Sequence, residues 1–101
     1  MNPPSPAYTR EIAAAALKDL DRAWHLNDDA SAIEARLEFK GYARAVYCAN
    51  LCAALCDRLN HHAEITFGWG YCHLLITTHE AGGLTENDFV LAKKIDAALT
   101  L

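Results

Sequence analysis

Glu64-Ile65-Thr66-Phe67-Gly68-Trp69-Gly70-Tyr71-Cys72-His73-Leu74-Leu75-Ile76-Thr77-Thr78 alternates apolar and polar residues with a period of two, the pattern of half-buried β-strands. Gly70-Tyr71 suits a two-residue type II′ turn, which takes Gly at its first central position. That turn pairs Trp69 with Cys72, Phe67 with Leu74 and Ile65 with Ile76. One face is then apolar on both strands, and a slip of one residue would destroy it. Glu64, Thr66, His73 and Thr77 fall on the other face. Carried outward, the same register sets Ala63 against Thr78 and His62 against His79, with Cβ atoms about 5 Å apart in directly opposed pairs.

The hairpin therefore brings two polar clusters together: Asn60-His61-His62-Ala63-Glu64 before it and Thr78-His79-Glu80 after it. Gly82-Gly83 makes the exit loop, and Thr85 caps a helix running to about Leu99, with Asp88 at its third position. Upstream, Tyr42–Leu59 reads as the strongest helix. Between Tyr42 and Cys56 only Arg44 and Asn50 are clearly polar. A surface helix needs one apolar face, and this one has two, so the second is expected to meet another subunit. Ile33, Ala35, Leu37 and Phe39 alternate with Glu34, Arg36, Glu38 and Lys40 as a half-buried strand. Asn27-Asp28-Asp29 suits a turn, and Asp21–Asn27, containing Trp24, suits a short strand. Thr9 can cap a helix to about Leu20, with Ile12, Ala13, Ala16, Leu17 and Leu20 as its stripe. Residues 1–7 are expected to be a disordered Pro-rich tail, leaving residues 8–101 as a single domain.

A chain of 101 residues suits one domain and one core. Net charge is −4 and no basic run exceeds Lys93-Lys94, a poor electrostatic footprint for nucleic acid. No apolar run approaches the roughly 18 residues of a membrane span. Met1-Asn2-Pro3-Pro4-Ser5-Pro6 has neither a basic start nor an apolar stretch of the secretory kind. Four cysteines, at 48, 52, 56 and 72, form no C-x-x-C pair. Three of them recur at steps of four, which suits packing residues in a reducing compartment better than a disulfide framework. A cytoplasmic protein is expected.

Imidazole titrates near neutrality, so three of them meeting make a candidate acid–base site. Each has a plainer reading. His61 and His62 follow a helix C-terminus, where the dipole favours a cation; Asp88 in a first helical turn is ordinary capping. In the sharper reading Asp88 also orients a histidine. His25 and His73 are read as structural, and Trp24 as core or pocket wall. Zinc would need about four ligands; three imidazoles with Glu80 or Asp88 are conceivable, but adjacent histidines chelate awkwardly. Thr77 and Thr78 lack a nucleophile elbow, and no Gly-rich phosphate loop follows a strand. Acid–base chemistry without metal or cofactor fits best.

Asp57-x-x-x-His61-His62-Ala63-Glu64, Thr78-His79-Glu80, Gly83-Leu84-Thr85-x-x-Asp88 and Leu91-Ala92 together resemble the pterin-4a-carbinolamine dehydratases. Phe39-Lys40, Arg44-Ala45 and Trp24 extend the match without gaps. Two departures stand out: the family's His-His-Pro-Glu-Trp run is His61-His62-Ala63-Glu64-Ile65 here, and the preceding acid is Asp57 rather than Glu. The resemblance implies an α+β fold, a four-stranded antiparallel sheet covered on one face by three helices, assembled as a homodimer or homotetramer. It implies dehydration of 4a-hydroxytetrahydropterin to quinonoid dihydropterin, which recycles the cofactor of aromatic amino-acid hydroxylases. His61, His62, His79 and Asp88 would be catalytic, and Asp57, Ala63, Thr78, Glu80 and Ala81 would bind the pterin, with no cofactor or metal. Neighbouring imidazolium charges depress one another, so a neutral base can coexist with an acid. His61 or His62 would protonate the leaving oxygen while His79 assists at N5. Relatives also look to serve as non-catalytic interaction proteins, in transcription or enzyme assembly, and the Tyr42–Leu59 helix is the surface such a role would use.

Overall fold

The order of elements in the computed structural model, which describes residues 6–100, is α1 Arg10–Leu17, β1 Trp24–Leu26, β2 Ile33–Glu38, α2 Tyr42–Leu59, β3 Glu64–Gly68, β4 Tyr71–Ile76 and α3 Glu86–Leu99, with a single 3-10 turn at His79–Ala81. The four strands form one antiparallel sheet in the order β1-β2-β4-β3. This is the expected α+β architecture. The expectation of a disordered tail falls, for residues 1–5, outside the described residues.

Alternation along the strands decides which face is covered. Ile33, Ala35, Leu37, Cys72, Leu74 and Ile76 are all buried, and α2 and α3 supply the opposing layer through Cys48, Ala49, Cys52, Cys56, Phe89, Leu91, Ala92 and Ile95. The three α2 thiols and Cys72 are free and buried, packing as small apolar side chains. Hydrogen bonding to Cys48, together with burial, pushes the Cys52 and Cys72 thiols up, and burial pushes up Cys56. A raised native value keeps the proton on the folded side while the unfolded chain releases it. Stability from these groups is thus complete below the ordinary thiol value of about 8.5 and declines as pH rises above it. Urea melts at about pH 7 and about pH 9.5 are expected to show that loss, and to show less of it in Cys72→Val.

Helix α1 takes its N-cap from Thr9, whose hydroxyl accepts from the Ile12 N–H at 3.2 Å. It ends at Leu17, short of Leu20, because its last turns tighten into Lys18 N–H to Ala15 and Leu20 N–H to Leu17 carbonyl bonds. Trp24 is core: it is 3% exposed, and its indole N–H donates to Asp96 Oδ1 at 2.7 Å. The other Asp96 oxygen accepts from the Asp21 N–H at 2.8 Å, so one carboxylate ties the start of β1 to α3. Replacing Asp96 by Ala leaves both part-buried donors unpaired, an expected loss of about 2 kcal/mol in chemical denaturation.

The hairpin register differs from the sequence expectation by two residues. Phe67 pairs with Cys72, Ile65 with Leu74 and Glu64 with Leu75, so Trp69-Gly70 forms the turn instead of Gly70-Tyr71. Gly70 has φ 82°, placing the left-handed residue second in the turn, as in a type II turn. Its backbone is gripped from outside: Phe39 N–H donates to the Gly70 carbonyl at 2.8 Å, and Gly70 N–H donates to Gly41 at 3.2 Å. A shift of two keeps every side chain on its face, so the apolar pattern is equally satisfied by either register. The docking of the turn against the β2–α2 connection decides between them.

Candidate active site

Helix α2 ends on Asn60 in the left-handed conformation, φ 53° and ψ 42°, which Asn tolerates better than most residues. His61 N–H closes back on the Cys56 carbonyl at 3.1 Å, and Ala63 N–H reaches the Cys56 Sγ at 3.4 Å. The chain therefore turns sharply and projects His61 toward α3. On the far side, Thr78 and Gly83 exchange backbone hydrogen bonds at 3.1 and 3.3 Å, closing a small loop with His79–Ala81 at its crest. These two turns form the walls of a cleft of about 260 Å³, lined by Asn60, His61, His62, Thr77, His79 and Glu80.

His62 and His79 are not cross-strand partners. Strand β3 begins at Glu64, β4 ends at Ile76, and His79 starts the 3-10 turn. Thr78 spends its backbone groups on Gly83, so the ladder cannot extend. The three histidines meet across the cleft, not along a strand pair.

Asp88 is the anchor. It is 0% exposed, and its Oδ2 accepts from Thr85 N–H at 2.8 Å and Thr78 Oγ1 at 2.7 Å. Thr85 and Asp88 form a capping box at the start of α3. The Thr78 proton is committed to Asp88, so Thr85 donates in the 2.9 Å bond between the two hydroxyls. Oδ1 is left for His61, whose Nε2 lies 2.6 Å away with its side chain 11% exposed. A carboxylate only accepts, so the His61 proton sits on Nε2 and Nδ1 is the nitrogen available to a reacting group.

His62 makes a second, open pair. Its Nε2 lies 3.0 Å from Asp57 Oδ1, with the side chains 60% and 81% exposed. Among the described residues no partner of the His79 side chain is seen, and His79 and Glu80 are both exposed at the rim. Ala63 and Ala81 are half-buried beside these turns without lining the cleft. Thr78 stands behind it, on Asp88. His73 lies elsewhere, bonded to Glu34 at 3.0 Å across the sheet. Ile65, where the resembled family has an aromatic, packs with the core under the sheet, so that departure alters packing and not the cleft lining. Asn60 and Thr77 line the cleft, although the sequence reading gave neither a role in the site. Asn60 carried a signal, an Asn closing a long helix just before the histidines; Thr77 carried only its place on the polar face of the hairpin. Among the described residues, no group of three or more His, Cys, Asp or Glu is placed to hold a metal ion.

Fold and cleft define a small α+β protein with a histidine-lined pocket backed by a buried carboxylate. The family of pterin 4 alpha carbinolamine dehydratases matches residues 6–98, and the chain belongs to it. A provisionally named pterin-4-alpha-carbinolamine dehydratase of Paracoccus denitrificans is 38% identical over 94 residues, 93% of this chain and 87% of that one. Its counterpart in Methylococcus capsulatus is 37% identical, over 90% of this chain and 79% of that one. Among solved structures, a transcriptional coactivator/pterin dehydratase from Brucella melitensis superposes with a TM-score of 0.82 at 28% identity, covering 90% of this chain and 96% of the other. A pterin dehydratase-like RuBisCO assembly factor shares the fold, with a TM-score of 0.64 at 23% identity over 75% of this chain and 88% of the other.

Proposed function

We propose that the protein dehydrates 4a-hydroxytetrahydropterin to the quinonoid dihydropterin by general acid–base catalysis. The observation that carries this reading is the cleft holding His61, His62 and His79 with His61 locked on the buried Asp88. In the reaction N5 loses its proton, the freed pair forms the C4a–N5 double bond, and the C4a–O bond breaks as the oxygen is protonated and leaves as water. One group must take a proton while another gives one, and imidazoles suit both tasks near neutrality. His61 or His62 protonates the leaving oxygen, and His79, on the opposite wall, assists at N5. Asp57 and Glu80 hold the rim, and Ala63, Thr78 and Ala81, set back from the lining, support the turns that carry the residues meeting the pterin. His62→Ala and His79→Ala are each expected to lower turnover by about a hundredfold with the circular dichroism spectrum unchanged; wild-type turnover in both would remove the site assignment.

No described helix is long and apolar enough to cross a membrane, and the four buried free thiols favour a reducing, cytoplasmic setting. We place a homo-oligomeric contact on α2. Its inner face is buried through Ala45, Cys48, Ala49, Cys52 and Cys56, while Tyr42 and Tyr47 on its outside are 54% and 67% exposed. The Tyr42 ring lies 6.5 Å from that of Phe67 on the edge strand β3, so these two rings form a shared exposed apolar patch. Tyr47→Glu is expected to shift sedimentation toward the monomer. A second reading, an interaction protein on the same fold, draws on that surface and on the coactivator named for the Brucella relative; the intact histidine cleft favours the enzyme.

A further inference from the structure

Ala7 and Tyr8, just ahead of α1, reach the site from behind. Tyr8 N–H donates to the Leu84 carbonyl at 2.7 Å. The Tyr8 ring stacks on Phe89, with centroids 5.9 Å apart and planes inclined by 24°. Just before it, Ala7 lies so close to Gly83 that a Cβ there would come within 3.1 Å of the Ala7 methyl. These three contacts grip both ends of the capping turn: Gly83-Leu84 enters it, and Phe89 follows Asp88. Leu84 is 0% exposed and Phe89 6%, so the turn is already pressed on the core from within, and Tyr8 closes it from the other side. Burial and the nearby Glu86 and Asp88 carboxylates push the Tyr8 hydroxyl above its ordinary range, as a phenol beside the same turn should be.

None of these contacts touches the cleft, whose lining comes from other segments. Their effect must travel through Asp88. That carboxylate is held on one side by Thr78, itself paired with Gly83, and on the other by the first turn of α3. Loosening Leu84 and Phe89 would let the turn shift, and the 2.6 Å bond to His61 with it. Displacements of about 1 Å in a catalytic constellation can cost up to roughly a hundredfold in rate.

We infer that Tyr8 is a positioning residue: its ring and N–H clamp Phe89 and Leu84, and so fix the Asp88 carboxylate against His61. The inference rests on the reading of His61 as a proton-transfer group. Among the described residues no hydrogen bond of the Tyr8 hydroxyl enters the clamp, so of the side chain it is the ring that matters. Tyr8→Ala is expected to lower kcat by about tenfold with KM within twofold. Tyr8→Phe keeps the stack and is expected to stay within twofold in both.

The decisive readout is independent of turnover. Proton–nitrogen spectra of the imidazoles report the His61 Nε2–H bonded to Asp88, and that signal is expected to move or broaden in Tyr8→Ala and to be restored in Tyr8→Phe. An unchanged His61 signal in folded Tyr8→Ala overturns the inference, even where the variant melts at a lower temperature. So does a variant that loses only substrate affinity. If the wild-type protein itself failed to dehydrate the pterin, the dehydratase reading would fall, while the His61 signal would still decide the clamp. Tyr8→Leu, which keeps an apolar but smaller side chain that cannot stack, provides a second folded variant and is expected to behave like Tyr8→Ala.

Discussion

Replacing His61 by Ala is expected to lower dehydratase turnover by about a thousandfold, within the range that general acid–base groups contribute, and to leave the fold in place. Of the three histidines in the cleft, His61 alone is both nearly enclosed, at 11% side-chain exposure, and bonded to a wholly buried carboxylate. Its Nε2 is occupied by Asp88, which sets the tautomer and leaves Nδ1 as the reacting nitrogen. Water can substitute in part for an exposed group such as His62; it cannot easily reproduce an imidazole fixed in one orientation. The fold survives because α2 ends on its own backbone bonds at Asn60 and His61, not on the ring. The measurement is single-turnover kinetics on the purified variant, with thermal melting alongside. A turnover within tenfold of wild type would show that His61 is a structural partner of Asp88 and that the chemistry lies with His62 and His79.

Asp88→Asn is the second large effect, and it separates geometry from charge. Asn is isosteric, and two donors, Thr85 N–H and the Thr78 hydroxyl, already converge on Oδ2. The amide oxygen must take that position, which turns the amide NH₂ toward His61. His61 Nε2 then faces a donor and must accept, so its proton moves to Nδ1 and the ring is held neutral, without the second proton it needs to act as the acid at the leaving oxygen. Turnover is expected to fall about a hundredfold, while the cap on α3 and most of the stability remain. Asp88→Ala differs in kind. It strips the Thr85 N–H and Thr78 hydroxyl of their shared acceptor in a buried site and removes the cap, an expected loss of about 3 kcal/mol. Nitrogen spectra of His61 check the tautomer in the first variant, and urea titration checks stability in the second. Wild-type turnover in Asp88→Asn would mean that the carboxylate serves only as a helix cap.

The hairpin shows what the sequence could and could not specify. Alternation from Glu64 to Thr78 fixes which side chains face the core, because a slip of one residue reverses every one of them. It cannot choose between registers two residues apart, which present the same faces. That choice depends on Gly70 bonding to Phe39 and Gly41, a contact between segments about thirty residues apart. The convergence of the histidines was legible for a related reason: whatever the register, a hairpin returns the chain to where it began. Their mutual geometry was not, since Thr78 pairs with Gly83 and sends His79 into a 3-10 turn. Asp88 was legible twice over, as the third residue of a capped helix and as a motif position. What spacing could not reveal is that its second oxygen points at His61. Tyr8 belongs to no sequence motif and acts through its ring on Phe89 and its backbone N–H on Leu84.

The proposed activity of this cleft is removal of water from a 4a-hydroxytetrahydropterin. The direct test is a stopped-flow assay of the purified protein on that substrate, with and without a metal chelator. Dehydration well above the buffer rate is expected, unaffected by chelator and lost in His61→Ala. A rate equal to that of buffer alone would contradict it.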